Sequence, residues 1–575
     1  QSLSIMNERA SRIIRTLFLY LVWMLVPVFL GLAIIGGYEA YSPVPMGDMW
    51  NGTLGFYVNA SHGDWSSWWA QHNEHRILLS RILFWMDGAW FSGKGLFLIV
   101  ANYLLVAGVA ILFFFIWRER SRGWGTFFAV FLSVWLFSWI QNDNMIWGFQ
   151  SQFVLAQLLP LMAFYFLHRA CQSDSHGGRW FAASATCGVM ALGSMANGVI
   201  ALPLLTLLAL ALRMSRRQVL ILAALSILGV FLYFHGYKAV GGHGSLMQSL
   251  QQNPEGVIDY MQLYLGGPFY FFLGENPLAL MFARIASVVL VVGAILCLQK
   301  ELSAPHRSSL ALAMLCFILY IGGSAFGTAG GRAIFGATQA LTSRYMTPAL
   351  MAWAAFFVLV VPGLKNVARG IRWFWGSLFA LLVMSMLSYQ LRATTPRTDE
   401  LYDRSLATLA IEMRIPDQSQ IGHIFPNAEW VLRIARTPSE QNLSVFALYP
   451  YADLYEQLGK PLSSSLPPAE FPRCQGFVDE VQPIPEDPRY LRVRGWAFDR
   501  EASSQPLRLT ILDEQGVVSG FVLSGLDRPD VAAIVDPRAG TTGYRGYVRA
   551  DLRGKRLFFV SEGMGCRVEA MLPTL

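Results

Sequence analysis

The chain has 575 residues, 54% hydrophobic and only 14% charged, with a mean hydropathy of +0.41. Soluble domains carry about 25% charged residues, so the composition excludes a soluble enzyme, a disordered scaffold and a small secreted disulfide module. The net charge of +7 does not call for nucleic acid, because the basic inner loops of a membrane protein give the same excess.

Apolar runs fill residues 13–390, and residues 391–575 have the mixed composition of a soluble domain. A spanning helix needs about 20 apolar residues. By that measure the runs near 16–36, 96–117, 124–140, 149–167, 180–194, 198–212, 218–235, 278–298, 309–325, 346–363 and 371–389 predict about eleven spans. Arg9, Arg12 and Arg15 precede the first run, which places the N-terminus in the cytoplasm. Each loop then expected inside is basic: Arg118, Arg120 and Arg122; Arg169 and Arg179; Arg213, Arg216 and Arg217; Lys300 and Arg307; Lys365, Arg369 and Arg372. An odd span count puts residues 391–575 outside, in the periplasm of a bacterial inner membrane protein.

The segments expected outside are longer than a turn requires, since 2–8 residues suffice to connect helices. Residues 37–95 carry Asp48, Trp50, Asp64 and the string Gln71-His72-Asn73-Glu74-His75-Arg76, followed by an apolar run that reads as an amphipathic helix on the membrane surface. If that helix already includes them, His72 and Arg76 share a face at i,i+4. His-x-Glu-His is not the zinc spacing of a helix, so no zinc site is expected; Asp48 and Glu74 could hold a hard divalent cation, Mg or Mn. Further along come Trp147 and Gln150, then Arg284 early in the eighth span, then Arg332, Arg344 and Tyr345. Sugar transfer to an alcohol needs a carboxylate to take a proton and cations to hold a departing phosphate. The carboxylates Asp48 and Glu74 and the arginines Arg76, Arg284, Arg332 and Arg344 could supply both. His72, His75, Trp50, Asp64, Trp147, Gln150 and Tyr345 are the candidate substrate contacts.

A first span followed by a long outer loop, with Asp48 just after the span and a surface-lying helix beyond it, resembles the GT-C superfamily of integral-membrane glycosyltransferases. The string at 72–76, with Trp-Gly-Phe-Gln at 147–150 and Ser-Arg-Tyr at 343–345, resembles a poorly characterised bacterial branch. The resemblance implies a polyprenyl-phosphate-linked sugar donor, a glycan, lipid or protein acceptor, and a catalytic carboxylate at Asp48. Asp48 is followed by Met49, where the family commonly has a second acid, so Asp64 and Glu74 stand as rivals for that role. Two other readings share the architecture. One is a glycan polymerase or ligase using a diphosphate-linked oligosaccharide; the other is a lipid-glycan transporter or flippase.

Beyond the last run, residues 391–473 read as a helical connector. From 474 onward, short alternating stretches at about ten-residue spacing predict a β-sandwich. The expected domains are therefore 1–390, 391–473 and 474–575. Cys474 and Cys566 are the only cysteines of the soluble part, and an oxidising compartment would let them pair.

Overall fold

A computed structural model describes residues 2–121, 125–173, 175–238, 241, 244, 246–462, 467–502, 504–561 and 565–573. Arg122 lies outside the described residues, and at Lys365, Arg369 and Arg372 only the backbone is described. The chain divides into two compact units. One comprises Gln1–Tyr41, Trp65–Leu83 and Leu98–Thr395; the other comprises Ser42–Asp64, Phe84–Phe97 and Pro396–Leu575.

The first unit is a bundle of helices. Among the described residues, eight helical segments are long and apolar enough to cross a membrane: Val22–Ala40, Leu96–Arg120, Gly148–Gln172, Arg216–Phe234, Pro277–Ser303, Ser309–Phe335, Ser343–Leu364 and Phe374–Thr394. That is consistent with a multi-pass membrane protein. The other three expected spans contain the helices Gly125–Leu136, Gly177–Ala191 and Ala201–Ala211, of 12, 15 and 11 residues. At 1.5 Å per residue they reach roughly 16–23 Å, short of the ~30 Å hydrocarbon layer. The run from 180 to 212 breaks because the chain turns tightly at its middle. Ser194 Oγ donates to the Ala191 carbonyl, and a Cβ at Gly198 would lie 1.9 Å from that same oxygen, so only glycine fits.

Local chemistry sets the helix starts. Asn276 and Ser308 accept from Ala279 N and Ala311 N, and Ser215 with Gln218 forms a reciprocal capping box. Inside the bundle, aromatic polar atoms find helix carbonyls: Trp135 Nε1 donates to Leu350 O (2.8 Å) and Trp353 Nε1 to Leu265 O (2.9 Å). Without such partners these groups would be stranded in an apolar medium.

Hydrogen bonds gather the loops at the two ends of the bundle. At one end, 71–76, 139–147, 193–197, 235–238, 246–249, 324–332 and 343–347 are linked, for example Gln71 to Lys238, Ala196 to His75, Asn197 to Ser324, Ser249 to Gly330 and Ser343 to Ile140. At the other, His168 bonds Ser309 (2.8 Å) and Glu119 (2.7 Å), Tyr165 donates to Glu119, Gln172 donates to Ser309, and Arg307 reaches the Ala211 carbonyl.

The second unit packs the helices Thr398–Glu412 and Ala428–Glu440 against one antiparallel sheet. Its strands are β1 (Gln475–Pro483), β2 (Tyr490–Phe498), β3 (Arg508–Leu512), β4 (Val518–Leu526), β5 (Gly543–Arg549), β6 (Arg556–Ser561) and β7 (Arg567–Met571), in the order β1-β2-β5-β4-β3-β6-β7. The expected β-sandwich is corrected. Each inner strand pairs on both sides, so one sheet forms instead of two. It curls into a near-barrel, because Arg473 bridges Arg567 and Cys474 N donates to Arg567 O. Cys474 and Cys566 form a disulfide at the same seam, with Cα atoms 5.2 Å apart. Side chains alternate across the sheet: Phe521, Leu523 and Tyr547 join the helical core, whereas Val522, Tyr544 and Val548 fill the curl. Both faces are covered, which strand alternation alone could not distinguish from a sandwich.

Candidate functional site

The loop before the helix Leu78–Phe91 is a tight hairpin. The helix starts at Leu78 and runs to Phe91, so the expected shared face of His72 and Arg76 does not form. His72 N donates to His75 O (2.8 Å) and His75 N to His72 O (2.9 Å), with Asn73 at φ +48°. Asparagine tolerates this left-handed backbone better than most residues. The bridge leaves Glu74 at the tip. His72 itself is buried against Phe149, their rings 5.0 Å apart.

Two arginines pin the hairpin. Arg76 is buried and donates to the carbonyls of Trp69 (2.6 Å), Tyr233 (2.8 Å) and His235 (2.7 Å), with its guanidinium over the Trp69 and Tyr233 rings. Arg81 donates to Trp68 O and Ala70 O; burial, then the neighbouring Arg76 charge, lowers its pKa to about 10. Arg76 was expected on donor phosphate. Its donors instead satisfy backbone carbonyls, which makes it a clamp for the loop.

Around the tip, Glu74 Oε1 lies 3.7 Å from Arg332 Nη2, and Glu74 Oε2 lies 4.0 Å from His75 Nε2. Ala196 N donates to His75 Nδ1 (3.3 Å), so this ring is the neutral tautomer carrying its proton on Nε2, toward Glu74. Glu74, His75 and Arg332 are each about a quarter exposed, open enough for a ligand to compete. Burial, then the Glu74 charge, raises the Tyr237 hydroxyl above its ordinary pKa, which places that phenol in the same cluster. Arg332 ends the helix Ser309–Arg332, where a cation suits the helix dipole. Of the glycines before it, Gly330 has a packing role: a Cβ there would meet Leu246 at 2.5 Å.

The backbone at Arg344 is held by residues that sequence reading missed. Asn144 Nδ2 donates to Arg344 O (2.8 Å) and to Thr347 Oγ1 (2.7 Å), and Thr347 donates to Gln141 Oε1 (2.7 Å). The only hint was several amides in a short loop between apolar runs. Tyr345, a candidate sugar platform, is corrected to core: it is buried against Tyr264 and Phe153. Trp147 is half-buried beside Phe149, and its carbonyl accepts from Asn102. Gln150 is buried, with its amide oxygen unpartnered among the described residues. Arg284 makes a two-pronged ion pair with Asp259 (2.6 and 3.0 Å), so its charge is already matched.

The remaining candidates belong to the second unit. Asp48 sits in a turn held by Gly47 N to Ile424 O (2.8 Å) and Gly52 N to Asp48 O (2.7 Å), its side chain half-buried. Asp64 is exposed at the end of the short helix Phe56–Ser61. Trp50 is fully buried against Phe446, which corrects it from substrate contact to core. Asp87 was missed, although a lone acid in the apolar stretch Leu78–Phe91 was a visible signal. Among the described residues, one trio has ligand atoms close enough to share a metal ion: Cys474, Asp499 and Cys566. Its two sulfurs are bonded to each other. No protein-family model matches the chain, and no curated protein matches it.

Proposed function

We propose that the protein is a membrane glycosyltransferase of GT-C type, moving a sugar from a polyprenyl-phosphate-linked donor to a glycan, lipid or protein acceptor. The observation that carries this reading is the Glu74–Arg332 pair with His75, open to solvent at one end of an apolar helical bundle. A lipid phosphate anchored in the bilayer reaches such an end headgroup first. The acceptor hydroxyl would form its bond to the anomeric carbon as the carbon–phosphate oxygen bond breaks. Arg332 and Arg344 would take up the charge of the departing phosphate through charge-assisted hydrogen bonds. Asp48 is the proposed proton acceptor. Glu74 would hold Arg332 until phosphate displaces it, and it is the second candidate for the base.

The orientation is part of the proposal. The bundle end that carries Arg118, Arg169, Arg213 and Arg307 would face the cytoplasm, by the positive-inside rule. The Glu74 end and the C-terminal unit would then face the periplasm, where nucleotide sugars are absent and lipid-linked donors are needed. The test is transfer of radiolabelled sugar from polyprenyl-phosphate donors by the purified protein, read by thin-layer chromatography. Label moving only from diphosphate-linked oligosaccharides would replace this reading with a polymerase or ligase. No transfer from either, with lipid translocation in vesicles, would make the protein a transporter.

A further inference from the structure

Within the second unit, three residues that each hold a buried, unpartnered side-chain oxygen line one small cavity: Thr53 (Oγ1), Asp87 (Oδ1) and Ser444 (Oγ). The residues are 7%, 1% and 0% exposed, and none of the three atoms has a hydrogen-bond partner among the described residues. They come from distant parts of the chain: the turn after Asp48, the helix Leu78–Phe91 and the segment after Ala428–Glu440. The other Asp87 oxygen accepts from Gly95 N (3.1 Å). Much of the remaining wall is apolar, with Met49, Leu54, Phe84 and Leu443.

We propose that this cavity is a binding site for a single water molecule, held by Asp87, Thr53 and Ser444. Size and chemistry decide the ligand. The cavity of about 10 Å³ has room for one water molecule and no more. Cavities that stay dry are apolar, whereas this one presents three oxygens, and a buried water has two to four polar partners. A water can donate to the Asp87 carboxylate and to one hydroxyl while accepting from the other, which satisfies all three. Calcium or magnesium needs six or more oxygens, more than can gather around an ion in a space of one water's size walled largely by apolar groups. Burial pushes the Asp87 carboxyl up to about 6, against the one bond from Gly95. A donor on its open oxygen is what the ionised form lacks. The water ties the Asp48-bearing turn to the helix and to Ser444, and the inference does not rest on the proposed transfer reaction.

The full chain tests it in two ways. An experimental structure that resolves ordered solvent should show one peak at about 2.5–3.0 Å from all three oxygens. A peak ringed by six or more oxygens at about 2.3–2.6 Å would make it a cation site, and direct bonds among the three side chains with no peak would also overturn the proposal. Independently, Thr53→Val and Ser444→Ala should lower the thermal midpoint less than additively when combined, because either change alone releases the water. Fully additive losses would overturn the bridge.

Discussion

The two ends of the helical bundle use similar residues to different effect. At the His168 end, both ring nitrogens are engaged, Glu119 accepts from Tyr165 and contacts His168 and Arg169, and Ser309 meets both His168 and Gln172. At the Glu74 end the ion contacts are 3.7 and 4.0 Å between groups a quarter exposed; the Arg169–Glu119 contact of the other end is 3.6 Å between groups 39% and 29% exposed, so exposure does not separate the ends. Buried amide oxygens of Asn102, Asn144, Gln150 and Gln152 at the Glu74 end have no partner among the described residues, whereas at the other end the unpartnered atoms are Arg120 Nε, Arg169 Nε and Ser121 Oγ, none of them an amide. Polar groups satisfied by one another hold helices together, whereas groups left half-satisfied retain capacity for a ligand. The comparison separates charged residues that build the bundle from those that could act.

Substitutions can break or sharpen that distinction. The largest effect is expected at the proposed base: Asp48→Asn should cut turnover by about 10²–10⁴ while donor affinity is largely kept. Glu74→Gln should be milder. A near-normal Asp48→Asn beside an inactive Glu74→Gln would move the base to the open end itself.

The next effect concerns full pairing outside the bundle. Asp417 is completely buried, with Arg492 donating at 2.7 Å to each oxygen and Tyr547 donating at 2.9 Å. Burial alone would raise this carboxyl, but the Arg492 and Tyr547 bonds outweigh it and hold it below the usual range. Its contribution is therefore complete at neutral pH and fades as pH falls from about 4 through the lowered folded value. Asp417→Asn should cost about 3 kcal/mol of stability in chemical denaturation, and flatten that acid limb.

At the open end, Arg332→Ala or Arg344→Ala should weaken donor binding about ten- to hundredfold, the worth of a charge-assisted bond of roughly 1.5–3 kcal/mol. Equilibrium binding of a polyprenyl phosphate measures it, and unchanged affinity in both would erase the functional side of the comparison. The smallest effect belongs to the closed end. Glu119→Gln should lower stability by about 1 kcal/mol, as for an ordinary hydrogen bond, and leave transfer unchanged. A large loss of transfer there would show that the two ends do not divide their roles as described.

Hydropathy and charge are local properties, so the sequence by itself marked about eleven apolar runs, eight of which hold helices long enough to cross a membrane among the described residues, and the soluble composition of the tail. It did not determine where runs break. Gly198 against the Ala191 carbonyl shortens two expected spans, a close approach that no window average registers. The roles of individual side chains were decided only by tertiary structure, because they depend on partners far away in the chain. Arg76 clamps a loop because Tyr233 and His235 bring carbonyls to it across about 160 residues. Trp50 and Tyr345 have the composition of sugar platforms, but Phe446 and Tyr264 bury them. Strand alternation specified two faces for each strand, yet whether seven strands make two sheets or one curled sheet was settled by which edges pair. The same physics hid Asp87: its carboxylate matters because Thr53 and Ser444 meet it at one cavity, and only folding brings those three together.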